Sequence, residues 1–401
     1  MRALILLAAV AGASPALAAE VKIKPLLDGR LRYENVDQQG FPEEADALTL
    51  RLRPGAELTA GDWSLLVEGE GTWAIVEGYN SGLNGRTARP LVPDPENLEL
   101  NRLQIQYRGL PKTLLTAGRQ RINLEDQRFV GSSGWRQNEQ TFDAVRAEWS
   151  GLPRVKADLT YAWSVRTIWG VDGKGPRQQA ISGDNVFAIL SYRTPIGALS
   201  GFAYLVDQDE PAVSQFQLSS QTYGVRLAGS QALTKSAKLT YAASWARQSD
   251  WHRNPNAYSA DYWLAEAGVA WGIASLGAGY EVLGADDGRA LTSFQTPLAT
   301  LHKFQGWADK FLTTPPDGVR DLYVNGGLGW KKVGPLDAVT AQAVYHRFRS
   351  DRLDRHYGNE VDLLLSTKWK RYTLTAKYAD YRADTFATDT RKLWLQLECA
   401  Y

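Results

Sequence analysis

Arginines recur two residues apart in this 401-residue chain: Arg30 with Arg32, Arg51 with Arg53, and Arg119 with Arg121, while Arg102 and Arg146 occupy neighbouring polar positions. Residues two apart on an extended strand share a face, so each such pair stacks two guanidiniums on one wall. A guanidinium offers a planar fork of donors that fits a carboxylate or phosphate. Lining a water-filled passage, such groups lower the cost of moving an anion through it. A structural use is equally open. Asp28, Glu34, Glu57, Glu68, Glu70, Glu148 and Asp158 fall on the same polar face, so the arginines could instead build a charge ladder that stiffens the wall.

The elements that carry these residues alternate with period two. Leu27, Gly29, Leu31 and Tyr33 interleave with Asp28, Arg30, Arg32 and Glu34, and Leu48, Leu50 and Leu52 interleave with Thr49, Arg51 and Arg53. Trp63, Leu65 and Val67 face away from Glu68 and Glu70, and Leu103, Ile105 and Tyr107 from Arg102, Gln104 and Gln106. Further on, Val155 to Trp163 repeats the scheme against Lys156, Asp158 and Thr160. The last segment puts Leu393, Leu395, Leu397, Cys399 and Tyr401 on one face and Gln396 and Glu398 on the other. One face of every segment suits lipid and the other suits water.

Tight connections at Gly61-Asp62, Gly109 to Lys112, Gly151 to Arg154, Thr194 to Gly197 and Val333 to Leu336 read as short periplasmic turns. Longer polar stretches near 37–46, 78–97, 123–141, 165–183, 207–220, 249–260, 284–320, 350–357 and 383–389 read as extracellular loops. The segments between these breaks predict an all-β, up-and-down, transmembrane antiparallel β-barrel of about 18 strands, wide enough for an aqueous channel. A closed barrel is the β architecture that pairs every backbone group in lipid. A secreted, β-rich soluble protein is the competing architecture.

The start of the chain fits export to the outer membrane of a Gram-negative bacterium. Met1 and Arg2 precede the apolar run from Ala3 to Val10, and Ala16-Leu17-Ala18 forms a small-residue cleavage site, which predicts a signal peptide over 1–19 and one barrel domain over 20–401. Beyond it no run of about 18 apolar residues occurs that could span a bilayer as a helix, and the mean hydropathy is -0.33. With 45 basic and 44 acidic residues the net charge is +1, which argues against a nucleic-acid partner. One cysteine supplies neither a disulfide nor a metal cluster, and no cofactor is implied. Fourteen tryptophans and eighteen tyrosines match the aromatic girdles of membrane barrels.

Gly118-Arg119-Gln120-Arg121, then Asp126 to Gly131, Trp135 and Thr141 to Arg146 resemble the central motif of the alginate export family of outer-membrane porins, and Pro297 to Phe311 resembles a segment of that family's long loops. The resemblance implies a monomeric barrel whose arginine-lined constriction conducts a polyuronate or related anionic saccharide. By motif, that role carries onto Arg119, Arg121, Arg128 and Arg146. Arg30, Arg32, Arg51, Arg53 and Arg102 enter by alternation alone. Oligosaccharides or other small anionic solutes fit the same residues, as does a general, weakly selective uptake porin. The expected partners are outer-membrane lipid and lipopolysaccharide, the transported solute, and the barrel-assembly machinery, whose recognition signal the terminal Tyr401 resembles.

Three smaller readings concern the loops. Asp126 and Arg128 could narrow the lumen or pair with each other to fix the loop. Leu301, Phe304, Ala308 and Phe311 recur at helical spacing and predict a short amphipathic helix that plugs or caps the barrel. Asp286, Asp287 and Asp317 lack the spacing of a calcium loop and read as solvated acids. An outer-membrane lipase or deacylase would need a serine beside one of His252, His302, His346 or His356, and no motif around them supplies it. An adhesin or structural barrel would crowd its lumen with bulky plugs and carry loops rich in exposed aromatics, whereas these loops are polar and ordinary.

Overall fold

The computed structural model describes residues 20–401; the expected leader, 1–19, lies outside the described residues. The strands are β1 (Lys22–Gln38), β2 (Ala45–Ala60), β3 (Trp63–Gly78), β4 (Asn97–Tyr107), β5 (Thr113–Gln120) and β6 (Thr141–Trp149). They continue as β7 (Val155–Arg166), β8 (Ala180–Thr194), β9 (Gly197–Val206), β10 (Ser220–Ala232), β11 (Ala237–Asp250) and β12 (Ser259–Trp271). The rest are β13 (Ala274–Leu283), β14 (Val319–Val333), β15 (Leu336–Arg349), β16 (His356–Trp369), β17 (Tyr372–Ala383) and β18 (Thr390–Ala400). Each pairs antiparallel with its sequence neighbours, and β1 pairs with β18, so 18 strands close into a barrel without an edge. Closure removes the unpaired strand edges that an open sheet would expose.

Alternation sets the two faces. Along β1, Arg30, Arg32, Glu34 and Val36 are buried while Leu27 and Leu31 are exposed; along β18, Lys392, Trp394 and Gln396 are buried while Leu393, Leu395 and Leu397 are exposed. Leucines, isoleucines and valines repeat outside around the barrel, among them Leu65, Ile105, Leu159, Leu190, Leu276, Leu322, Leu365 and Leu374. A continuous exposed apolar band needs an apolar surrounding. Near the short connections Trp63, Trp149, Tyr192, Trp271, Trp369 and Tyr372 are exposed as well, where an amphipathic ring sits well at a membrane boundary.

Connections at one end are short, at 61–62, 195–196, 272–273, 334–335 and 370–371 among others, and at the opposite end long, with the longest at 79–96, 121–140 and 284–318. The helix expected over Leu301 to Phe311 does not form; a single 3₁₀ turn spans Leu301–Lys303. Gln305, Gly306 and Asp309 take positive φ, which no right-handed helix accommodates. The residues at helical spacing go separate ways. The Arg128 guanidinium lies 4.8 Å from the Phe304 ring centroid, while Phe311 packs on Phe348 at 4.5 Å and on Phe386 at 5.3 Å.

Candidate functional site: the barrel lumen and its two inward loops

Residues 121–140 and 284–318 meet inside the barrel. Val130 pairs with Leu298 in a parallel bridge, Gly131 N donates to Leu298 O at 2.9 Å, and Thr300 N donates to Gln127 O at 3.1 Å. Gln140 Nε2 ties both segments by donating to Gly131 O at 2.7 Å and Leu298 O at 3.0 Å. Phe129 sits among Phe202, Tyr204, Tyr262 and Phe294, which anchors the first loop against β9, β12 and the second loop.

The arginines of the first strands hold this plug. Arg30 donates to the main-chain oxygens of Trp135 at 2.9 Å, Arg136 at 3.1 Å and Gly134 at 3.1 Å. Arg32 donates to Trp135 O at 2.5 Å, and Arg53 to Gln137 O at 3.2 Å. Each also has a carboxylate: Arg30 has Glu398 at 2.7 Å, Arg32 has Asp94 at 3.3 Å, Arg53 has Glu70 at 2.5 Å, and Arg51 pairs with Asp28. These four guanidiniums are buried. Loop carbonyls turned toward a barrel wall need donors, and the wall supplies charged ones.

The next group lies farther round the wall. Arg102 clasps Glu68 at 2.5 and 2.8 Å, and Arg121 bridges Glu139 at 2.5 Å and Glu68 at 3.1 Å. Asn101, pushed inward where the β3–β4 register shifts, donates to both of these acids at 2.9 Å. Burial opposes ionisation of Glu139, but the guanidiniums of Arg53 and Arg121 outweigh it and hold the carboxyl down to about 2. Arg146 faces inward and pairs with Asp158 and, at 3.3 Å, with Glu148.

The register corrects the placement of Arg119. It stands opposite Leu103 on β4 and Asp143 on β6, in line with exposed Ile105 and Val145, so it points outward. Its Nε and Nη2 clasp Asp143 at 2.7 and 3.0 Å. Arg119 and Arg121 share no face because β5 ends at Gln120 and the chain turns into the lumen there. Gly118 takes φ +108 beside Leu103 O, a conformation and a closeness that a Cβ would not permit.

Asp126 and Arg128 do not join side chain to side chain. Asp126 accepts from the Arg128 main-chain N at 3.1 Å and pairs with Arg226 at 2.9 Å, whereas buried Arg128 pairs with Glu281 at 2.6 Å and donates to Thr296 at 2.9 Å. Near the loop end Asp287 binds Arg289 and accepts from Thr292 at 2.8 Å. No group of three His, Cys, Asp or Glu among the described residues is placed to hold a metal ion.

A further inward cluster centres on the Asp309 carboxylate. Arg136 donates to Asp309 at 2.8 Å, as does Lys392 at 2.9 Å, and His302 Nδ1 lies 2.8 Å from the same carboxylate. Burial and the Lys377 ammonium push His302 well below the usual histidine range, so it is neutral and its Nε2 accepts from Lys377 Nζ at 2.7 Å. Lys377 makes no ion pair among the described residues. Its Nζ lies 4.0 Å from the Trp135 ring centroid and 3.8 Å from that of Trp307. The Trp135 ring also stacks on His302 at 4.5 Å and 7°. Lys377 was legible as an inward position of β17, between Thr375 and Ala379; Arg136 sits in an irregular loop where alternation has no purchase.

A cavity of about 290 Å³ lies among the long loops, one of about 740 Å³ beside β12 to β18, and one of about 540 Å³ near the short connections by Arg108, Lys112 and Arg146. Trp135, Thr300 and His302 line both of the first two and so form the partition between them.

A family model described as alginate export matches residues 27–282, well over half of the chain. The chain belongs to the alginate export family. Solved structures with the same fold include Pseudomonas aeruginosa OccD3 (OpdP), 14% identical with a TM-score of 0.68 over 96% of this chain and 92% of that one. Acinetobacter baumannii OccAB4 is 14% identical with a TM-score of 0.69 over 97% of this chain and 100% of that one. The outer membrane protein OpdK of Pseudomonas aeruginosa is 14% identical with a TM-score of 0.68 over 95% and 98%. No curated protein matches the sequence. This alginate export family member is a porin of the Gram-negative outer membrane, a membrane-embedded channel that passes solutes.

Proposed function

We propose that this porin admits small anionic organic solutes, such as short uronate saccharides or other carboxylates, by diffusion down their gradient, and has no enzymatic activity. The short connections face the periplasm and the long loops the exterior, with the barrel acting as a monomer in lipid and lipopolysaccharide after delivery by the assembly machinery. Residues 1–19 serve as its leader. The observation that carries the solute class is Lys377, an ammonium on the wall of the central cavity that makes no ion pair among the described residues and lies beside two tryptophan rings. A carboxylate passing there gains a charged donor, and a sugar or other ring gains a face to slide along. Arg102, Arg121 and Arg146 are less deeply buried than the plug-holding arginines, and each is paired with a carboxylate.

The plugged lumen favours monomers and short oligomers over a bulky polymer. A weakly selective porin is the second reading, favoured by the carboxylate partner found for every arginine of the first strands. The absence of a hydrolase triad is supported by the histidines' partners: His302, His346 and His356 hydrogen-bond acids, a lysine or an asparagine, and no serine among the described residues. Liposome swelling tests the proposal. Sodium glucuronate should enter faster than the equally sized neutral glucose, and Lys377→Gln should erase the difference. Equal rates in the unaltered protein would favour the weakly selective porin instead.

A further inference from the structure

The outside of the barrel carries a groove of about 690 Å³ on the face of β13 to β18 that is turned away from the lumen. Leu328, Leu365 and Leu393 stand along it, and Ala341, Ala343 and Ala376 are too short to fill it. Among the lipid tails that surround such a wall, an empty groove forfeits dispersion contacts, and a straight acyl chain seated in it restores them.

One outward row nearer the short connections stand Val339, Thr367 and Leu374, paired across β15, β16 and β17, and beyond that row two connections are tied side by side. Asp337 accepts from Lys332 Nζ at 2.5 Å with one carboxylate oxygen and from the Lys370 main-chain N at 2.7 Å with the other. Lys332, Lys370 and Arg371 thus share one patch. Lys370 Nζ lies 5.2 Å from the Trp369 ring centroid and the Arg371 guanidinium carbon 5.1 Å from that of Tyr401. Both rings are exposed on the outer face, so these cations stand at the membrane boundary outside the barrel. Of the three, only Lys332 has an ion pair among the described residues. The long-loop end differs, because Arg247, Arg382 and Arg391 there clasp Asp261, Asp380 and Asp37. A phosphate meets free cations at the short connections and must displace carboxylates at the other end.

We infer that patch and groove together form a binding site for one anionic phospholipid, with the headgroup phosphate against Lys332, Lys370 and Arg371 and an acyl chain in the groove. The surplus of positive charge selects an anionic headgroup over a zwitterionic one. Phospholipid rather than lipopolysaccharide follows from the orientation proposed above, in which the short connections face the periplasm. What the lumen conducts has no bearing on the site.

Native mass spectrometry of the purified barrel in a neutral detergent, titrated with phosphatidylglycerol, with phosphatidylcholine of the same acyl chains, or with lipid A, tests the site. Phosphatidylglycerol should bind at least ten-fold more tightly than either of the others. Lys370→Gln combined with Arg371→Gln should weaken it at least ten-fold. Arg154→Gln combined with Arg193→Gln removes the same charge from exposed positions at other short connections and should leave it unchanged. Ala341→Trp fills the groove with every cation in place and should also weaken it at least ten-fold. Equal affinity for the two phospholipids, tighter binding of lipid A, or unchanged affinity in the patch or the groove variant would overturn the inference. Equal weakening by the two charge-removing pairs would overturn it too, since the attraction would then be diffuse. The reversal potential in a planar bilayer should not move in the patch variant; a shift would place these cations on the solute path and overturn the site.

Discussion

Arg32 meets Trp135 twice: Nη2 donates to its carbonyl at 2.5 Å, and the guanidinium carbon lies 4.1 Å from its ring centroid. One wall residue thus fixes both the backbone and the ring of the residue that divides the lumen. The plug is a property of the barrel wall as much as of the loops.

Replacing both Arg30 and Arg32 by alanine should therefore loosen residues 134–136. Single-channel conductance should rise at least two-fold, with more frequent gating steps. The barrel should also lose stability, since removing one member of a buried pair such as Arg32 and Asp94 costs about 3–5 kcal/mol. Unchanged conductance in a folded double variant would mean that the loop holds its place unaided.

Arg119 gives the opposite expectation. As an outward partner of Asp143, its change to alanine should leave the reversal potential in a salt gradient where it was. Changing Arg102 and Arg121 together should move it toward cations, because Glu68 would then lose both its guanidiniums and Glu139 would keep Arg53 alone.

Acid should act late on the plug. Glu139 is held at about 2 against an ordinary 4.5, so its contribution to stability is complete above the ordinary value and disappears as the pH falls through about 2. Asp309, whose burial is outweighed by the charges of Lys392 and Arg136 together with the hydrogen bond to His302, is likewise held well below its ordinary value. Conductance should stay level from pH 7 to pH 5 and climb only at far lower pH. Opening that is complete by pH 5 would count against these two carboxylates as the plug's locks.

Phe311 anchors the second loop among Phe348, Tyr357 and Phe386. Phe311→Ala should cost about 3–5 kcal/mol of local packing. Limited proteolysis should then cut within 301–318 while the strands survive. Resistance equal to that of the parent would place the anchor elsewhere.

How much of this was legible differs by element. Strand positions were, because β1 and β18 alternate cleanly and their inner residues, Arg30 and Glu398 or Arg32 and Gln396, meet across the closing seam. The ladder reading of the wall arginines was also available, from the acids on the same face. Arg119 was misplaced because a spacing of two fixes a shared face only while the strand lasts, and β5 stops between it and Arg121. The helix over Leu301 to Phe311 was misread because apolar spacing does not reveal positive φ at Gln305 and Asp309. Arg136 and its acid Asp309 are 173 residues apart in sequence, and only the folded loops join them.

The reversal potential of the unaltered protein in a planar bilayer, under a potassium chloride gradient, tests the anionic-solute reading most directly. A chloride-side potential that moves toward potassium when Lys377 becomes glutamine is expected. A potassium-side potential in the unaltered barrel, or one indifferent to Lys377, would contradict it.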